Sequence, residues 1–214
     1  MSKGKKKLQL SNRQKILGAQ HCFANAKALF EEAEILYKES KWARSTALFI
    51  LGTEEISKIE LIGQTFSYKT VQEWSDFEKK FSSHNEKLKL ADIISLQLKD
   101  RSDNASKLEE EVKEIKKGRN LNIGKQKCFY VGFSNVLGWE VPLRDVTKED
   151  AKYCKEMLDS RIQAYNEIFS KPFNEIVDII KEMKKIVASP EAMEKSIKLQ
   201  NKIKKLFDKP ETNR

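Results

Sequence analysis

Apolar residues recur at three- and four-residue intervals along most of this chain, and long stretches contain neither proline nor glycine. That period belongs to amphipathic helices, whose apolar stripes must bury against one another. The expected fold is therefore all-α, an up-and-down helical bundle. Only 4 prolines and 8 glycines punctuate 214 residues, which excludes collagen-like and low-complexity chains. A hydrophobic fraction of 39% is enough for one main core.

Ser11 predicts the N-cap of a first helix reaching about Ser40, with Ile16, Ala19, Phe23, Ala26, Phe30, Ala33 and Tyr37 on one stripe. A second helix is expected from about Lys41 to Gln64. A third should run from about Val71 to the high nineties, continued by a polar stretch from Asn104 to Lys117 that ends at Gly118. Residues 118–146 break the period, because Gly118, Gly124, Gly132, Gly138 and Pro142 sit there among Phe129, Tyr130, Phe133 and Trp139. So many aromatics indicate an irregular but ordered insertion, in which residues 126–133 favour strand. Thr147 with Asp150 resembles a capping box opening a helix to about Lys171, and Pro172 punctuates before a helix to Ala188. Ser189-Pro190-Glu191 then starts a last basic helix. The expected organisation is a basic disordered tail (1–10), a bundle (11–171) carrying the insertion at 118–146, and a basic C-terminal helical hairpin (172–214).

The net charge of +9 belongs to the two ends. Residues 1–16 carry six basic side chains and no acid, residues 172–214 carry ten basic and seven acidic, and the segment between holds 25 of each. Such ends can attract RNA through its phosphates. No stretch has the length of a membrane span, and MSKGKKKLQL lacks the apolar core of a secretory signal, so the expected location is the cytoplasm, with no membrane partner. Cys22, Cys128 and Cys154 form no CxxC and have no neighbouring His pair, which predicts reduced core thiols and neither a structural metal nor another cofactor.

Chemistry concentrates in the second helix. Its run from Thr46 to Ile62 is apolar on nearly every face, yet Glu54, Glu55 and Lys58 interrupt it. Buried charge requires a partner. Glu54 and Lys58 stand in the favourable i,i+4 order, whereas Glu55 shares the stripe of Leu48, Gly52, Ile59 and Ile62 and has no local partner of its own. The third helix offers one, since Trp74, Phe77, Phe81, His84, Leu88 and Ala91 form a seam in which His84 is the single polar member and Lys87 flanks it. A short loop makes the two helices antiparallel, placing Glu55 or Lys58 near the level of His84.

The segment from Tyr37 to Lys58 with its Glu-Glu-x-x-Lys, then Trp74-x-x-Phe-x-x-x-Phe-x-x-His84-x-x-Lys87, then Tyr130-Val131 and Pro142 before the Thr147 helix, resembles the AbiV-type abortive-infection family within the HEPN superfamily. The resemblance spans about residues 12–168. It implies an α-helical bundle, frequent homodimerisation and a role in bacterial defence against phage. Many HEPN proteins are metal-independent ribonucleases with an Arg-x4-6-His motif at the dimer interface. Here Phe77, Glu78 and Lys79 stand where that arginine would precede His84, and Gln14, Lys15 and Ile16 where it would precede His21. Lys79 brings a charge without the bidentate fork of a guanidinium.

The resulting expectation is an antiphage protein that binds a host or phage component and arrests the infected cell. Glu54, Arg44 and Lys79 are its expected binding residues. The competing expectation is a metal-independent ribonuclease in which His84 is the acid or base, Lys58 or Lys87 stabilises developing charge and Glu55 orients His84. A third is an antitoxin-like partner that masks a separate toxin.

Overall fold

The structure, a computed structural model, describes residues 9–88, 121–134 and 138–187. The chain divides into two compact units, 1–91 with 121–170, and 92–120 with 171–214. In the first unit, helix α1 (Asn12–Lys38) starts at a capping box: the Ser11 hydroxyl accepts from the Gln14 amide and the Gln14 side chain accepts from the Ser11 amide. After a turn with Ser40 at φ 58°, α2 (Trp42–Gln64) returns antiparallel to it. A 3-10 turn, Thr65–Ser67, then leads to α3 (Val71–Ser82), capped reciprocally by Thr70 and Glu73.

Helix α2 is the buried centre that its composition predicts. Ala47, Phe49, Ile50 and Ile56 are essentially without solvent contact. The hydroxyls of Thr53 and Ser57 stay satisfied by donating to the Phe49 and Thr53 carbonyls, each at 3.0 Å. Packed on it are α1, α4 (Leu121–Phe129) and α6 (Lys148–Phe169), the last opening at the expected Thr147–Asp150 capping box. Gly52 marks the closest approach: a Cβ there would lie 2.5 Å from Leu158 Cδ2 and 3.4 Å from the Ala26 carbonyl oxygen.

Two expectations fail here. The third helix does not run on into the nineties, because α3 stops at Ser82 and Ser83 is extended before helical backbone resumes at 84–88. The Ser82 hydroxyl turns back to the Glu78 and Lys79 carbonyls while the Ser83 hydroxyl accepts from the Glu86 amide, so two serines end one helix and cap the next. Secondly, residues 126–129, expected to favour strand, belong to α4. The strands are β1 (Gly132–Ser134) and β2 (Gly138–Glu140), an antiparallel pair with Phe133 opposite Trp139. A short helix α5 (Pro142–Asp145) follows, held by Arg144, which donates to the Trp139 carbonyl and to Asp145. In the second unit, α7 (Phe173–Val187) begins after Pro172 as expected. The tail through residue 8, the stretch 104–117 and the helix expected after Pro190 lie outside the described residues.

A polar group also enters the core where α2 meets α6. The Tyr165 hydroxyl donates to Glu60 Oε1 at 3.3 Å, while Glu60 Oε2 is buried with no hydrogen-bond partner among the described residues. Burial pushes the Glu60 carboxyl up to about 7, against the opposing pull of Arg161 and of the Tyr165 hydrogen bond. A raised acid binds its proton more tightly folded than unfolded, so its contribution to stability is full below about pH 4.5 and is lost as pH rises through about 7. Urea titrations at pH 5 and pH 8 should show the wild type losing about 3 kcal/mol relative to Glu60→Gln over that interval. Parallel behaviour of the two proteins would refute the assignment.

Candidate functional site

One carboxylate organises the site. Glu54, on α2, is only 3% exposed in its side chain, and three side chains from two elements distant in sequence converge on it. Lys125 of α4 reaches Oε1 at 2.5 Å, His84 Nδ1 meets Oε2 at 2.5 Å, and Lys87 Nζ lies 3.7 Å from the same oxygen. An ionised carboxylate only accepts, so the proton of the 2.5 Å contact is assigned to His84 Nδ1. Lys125 Nζ is also 3.3 Å from that nitrogen. Lys87 and Lys125 are buried, whereas 58% of the His84 side chain meets solvent. Desolvation holds the Lys87 ammonium below the usual lysine range, opposed by the attraction of Glu54.

A second polar cluster lies beside it on α2. Lys58 donates to Glu55 at 2.5 Å across an i,i+3 step, and Cys22 of α1 bonds to the same carboxylate. Burial first, and then Glu55, push the Cys22 thiol up to about 11, so it stays protonated and is no nucleophile at neutral pH. Counted together, Glu54 and Glu55 face three ammonium groups, those of Lys58, Lys87 and Lys125.

The partners expected of the two carboxylates are therefore exchanged. Glu54 was expected to pair with Lys58, and Glu55 with His84; instead Lys58 pairs with Glu55, and Glu54 takes His84. Lys58 can serve either carboxylate along one helix, and the choice falls to α4, which brings Lys125 against Glu54 alone. Lys87 does join the site. Arg44 does not: it is exposed ten residues before Glu54, about 15 Å along the helix. Lys79 is exposed on α3, 3.6 Å from Asp76. The sequence reading missed Lys125, which lies in the stretch expected to be irregular and carried no periodic signal. Among the described residues no cluster of His, Cys, Asp and Glu could hold a metal ion, and no helix is long and apolar enough to cross a membrane.

His84 with Glu54 forms a carboxylate-oriented imidazole open to solvent on one side, an arrangement able to move a proton. The same Glu54, wedged between two buried ammonium groups, ties α2, the helical segment at 84–88 and α4 together. No curated protein and no solved structure matches the chain. Among protein families, HEPN_AbiV, described as AbiV, matches residues 16–163, a span that includes every element converging on Glu54. With a helical bundle around α2 and that match over more than two thirds of its length, the chain belongs to the AbiV family of HEPN proteins.

Proposed function

We propose that this protein is a bacterial antiphage protein of the abortive-infection type, cytoplasmic and homodimeric, which binds a host or phage component and thereby arrests the infected cell. Membership of the AbiV family supports the defence role. Binding in place of catalysis is supported above all by the Glu54 cluster: its two carboxylate oxygens are taken up by Lys125 and His84 with Lys87 beside them, and neither His84 nor His21 has an arginine at the spacing that would grip a scissile phosphate. The basic ends add weak, salt-sensitive attraction to RNA.

A ribonuclease is the second reading, favoured by one observation, the exposed His84 ring held at Nδ1 by Glu54. A single experiment separates them. Wild-type protein and His84→Ala are induced in bacteria under phage challenge, and each purified protein is incubated with total RNA with and without EDTA. The expected result is growth arrest without RNA fragments. Metal-independent fragments that disappear with His84→Ala would establish the ribonuclease, and infected cells that keep growing would overturn the defence role.

A further inference from the structure

Phe129, Tyr130, Val131, Phe133, Trp139 and Leu143 lie within fifteen positions of one another, and each is between 41% and 83% exposed. Phe133 and Trp139 are cross-strand partners with ring centroids 5.3 Å apart, on one face of the β1–β2 ribbon. Summed over the six, the exposed side-chain area is on the order of 700 Å², against the roughly 800 Å² that each partner buries in a standard interface. A two-stranded ribbon of three-residue strands is also marginal alone in water, and no third strand pairs with it among the described residues.

We infer that this aromatic ribbon, residues 129–134 and 138–143, is the face on which a second copy of the chain docks. Charge identifies the occupant. Residues 126–145 contain two basic and two acidic side chains, paired with each other as Lys127 with Glu140 at 3.1 Å and Arg144 with Asp145 at 2.6 Å. The face is thus neutral on a chain of net charge +9. The excess lysines lie at residues 1–16 and 172–214, so two copies approach at least cost with those ends apart and a neutral apolar surface of each facing the other. A nucleic acid would be met by unpaired basic groups, and an acidic partner likewise; this face offers neither. In a two-fold dimer the same patch lies on both sides, so a neutral, self-paired patch meets no like charge in its twin. The inference rests on the homodimer of the proposed function and adds the face through which it forms.

Sedimentation of the full chain at micromolar concentration should give a species of about 50 kDa, twice the 24.8 kDa of one chain. Phe133→Glu and Trp139→Glu should each weaken association at least about 100-fold with an unchanged helical circular dichroism spectrum. Ile35→Glu, which places the same charge on the exposed face of α1, should leave the dimer intact. On the wild type alone, amide exchange of residues 132–134 and 138–140 should slow as concentration rises through the association range. A monomeric wild type would overturn the dimer and the face together. A dimer that survives both ribbon substitutions, or ribbon amides indifferent to concentration, would overturn the face alone, as would loss of the dimer in Ile35→Glu with retention in the ribbon variants.

Discussion

Glu54→Ala should cost the folded state about 3 to 5 kcal/mol and lower the melting temperature by roughly 6 to 20 °C. Removing that carboxylate leaves the Lys125 ammonium, until then 2.5 Å from Oε1, with its charge uncompensated in a buried position, and takes from Lys87 its nearest counter-charge at 3.7 Å. The deficit is moderated at high pH, because burial already holds Lys87 below the usual lysine range and it can shed its proton. Glu55→Ala, one residue away, should cost about 1 kcal/mol or less, since its partner Lys58 is one-fifth exposed and can turn to water. A double variant, Glu54→Leu with Lys125→Met, should recover most of the loss by putting apolar volume where two charges met. Chemical denaturation of the four proteins decides the matter: equal, small losses for Glu54→Ala and Glu55→Ala would mean that Glu54 is not the buried centre of this site.

Leu158→Ala should be destabilising by about 2 to 5 kcal/mol, as expected for a fully buried leucine in a well-packed core. Its effect should depend on position 52. Leu158 occupies the space that a Cβ on Gly52 would need, so Gly52→Ala alone forces the leucine aside at about 1 to 3 kcal/mol, set against about 1 kcal/mol gained in helix propensity. Once the leucine is shortened, the added methyl finds room, and the double variant should be less damaged than the sum of the single ones by roughly 1 to 2 kcal/mol. Losses that add to within about 0.5 kcal/mol in urea titrations would show that α2 and α6 do not meet closely at this point.

Both predictions turn on α2, and they divide what could be read in the amino-acid order from what could not. The apolar run Thr46–Ile62 announces a helix buried on every side before any partner is known, because no single exposed face is left for water. Ser11, and Thr147 with Asp150, locate helix starts because a cap is a bond between residues three apart. Local chemistry of this kind is complete within a few residues, and so it is legible. The end of α3 at Ser82 was harder to see, since Phe81, His84 and Leu88 keep the helical period across a break made by two serine hydroxyls.

The partners of Glu54 and Glu55 are of another kind. Neighbours on one helix point about 100° apart, and which of them receives His84 and Lys125 depends on the side from which α4 and the segment at 84–88 arrive. That side is set by packing among elements up to 71 residues apart, for which no spacing rule exists. Lys125 could not be found in advance for the same reason, and neither could the aromatic face of β1 and β2, whose residues look by composition like those of a core. By itself the sequence determined the helices, most of their ends and the presence of charge inside the bundle, all settled over a turn or two of chain. Only the tertiary structure decided which carboxylate holds that charge and which aromatics are left facing water, because both depend on where distant segments come to rest.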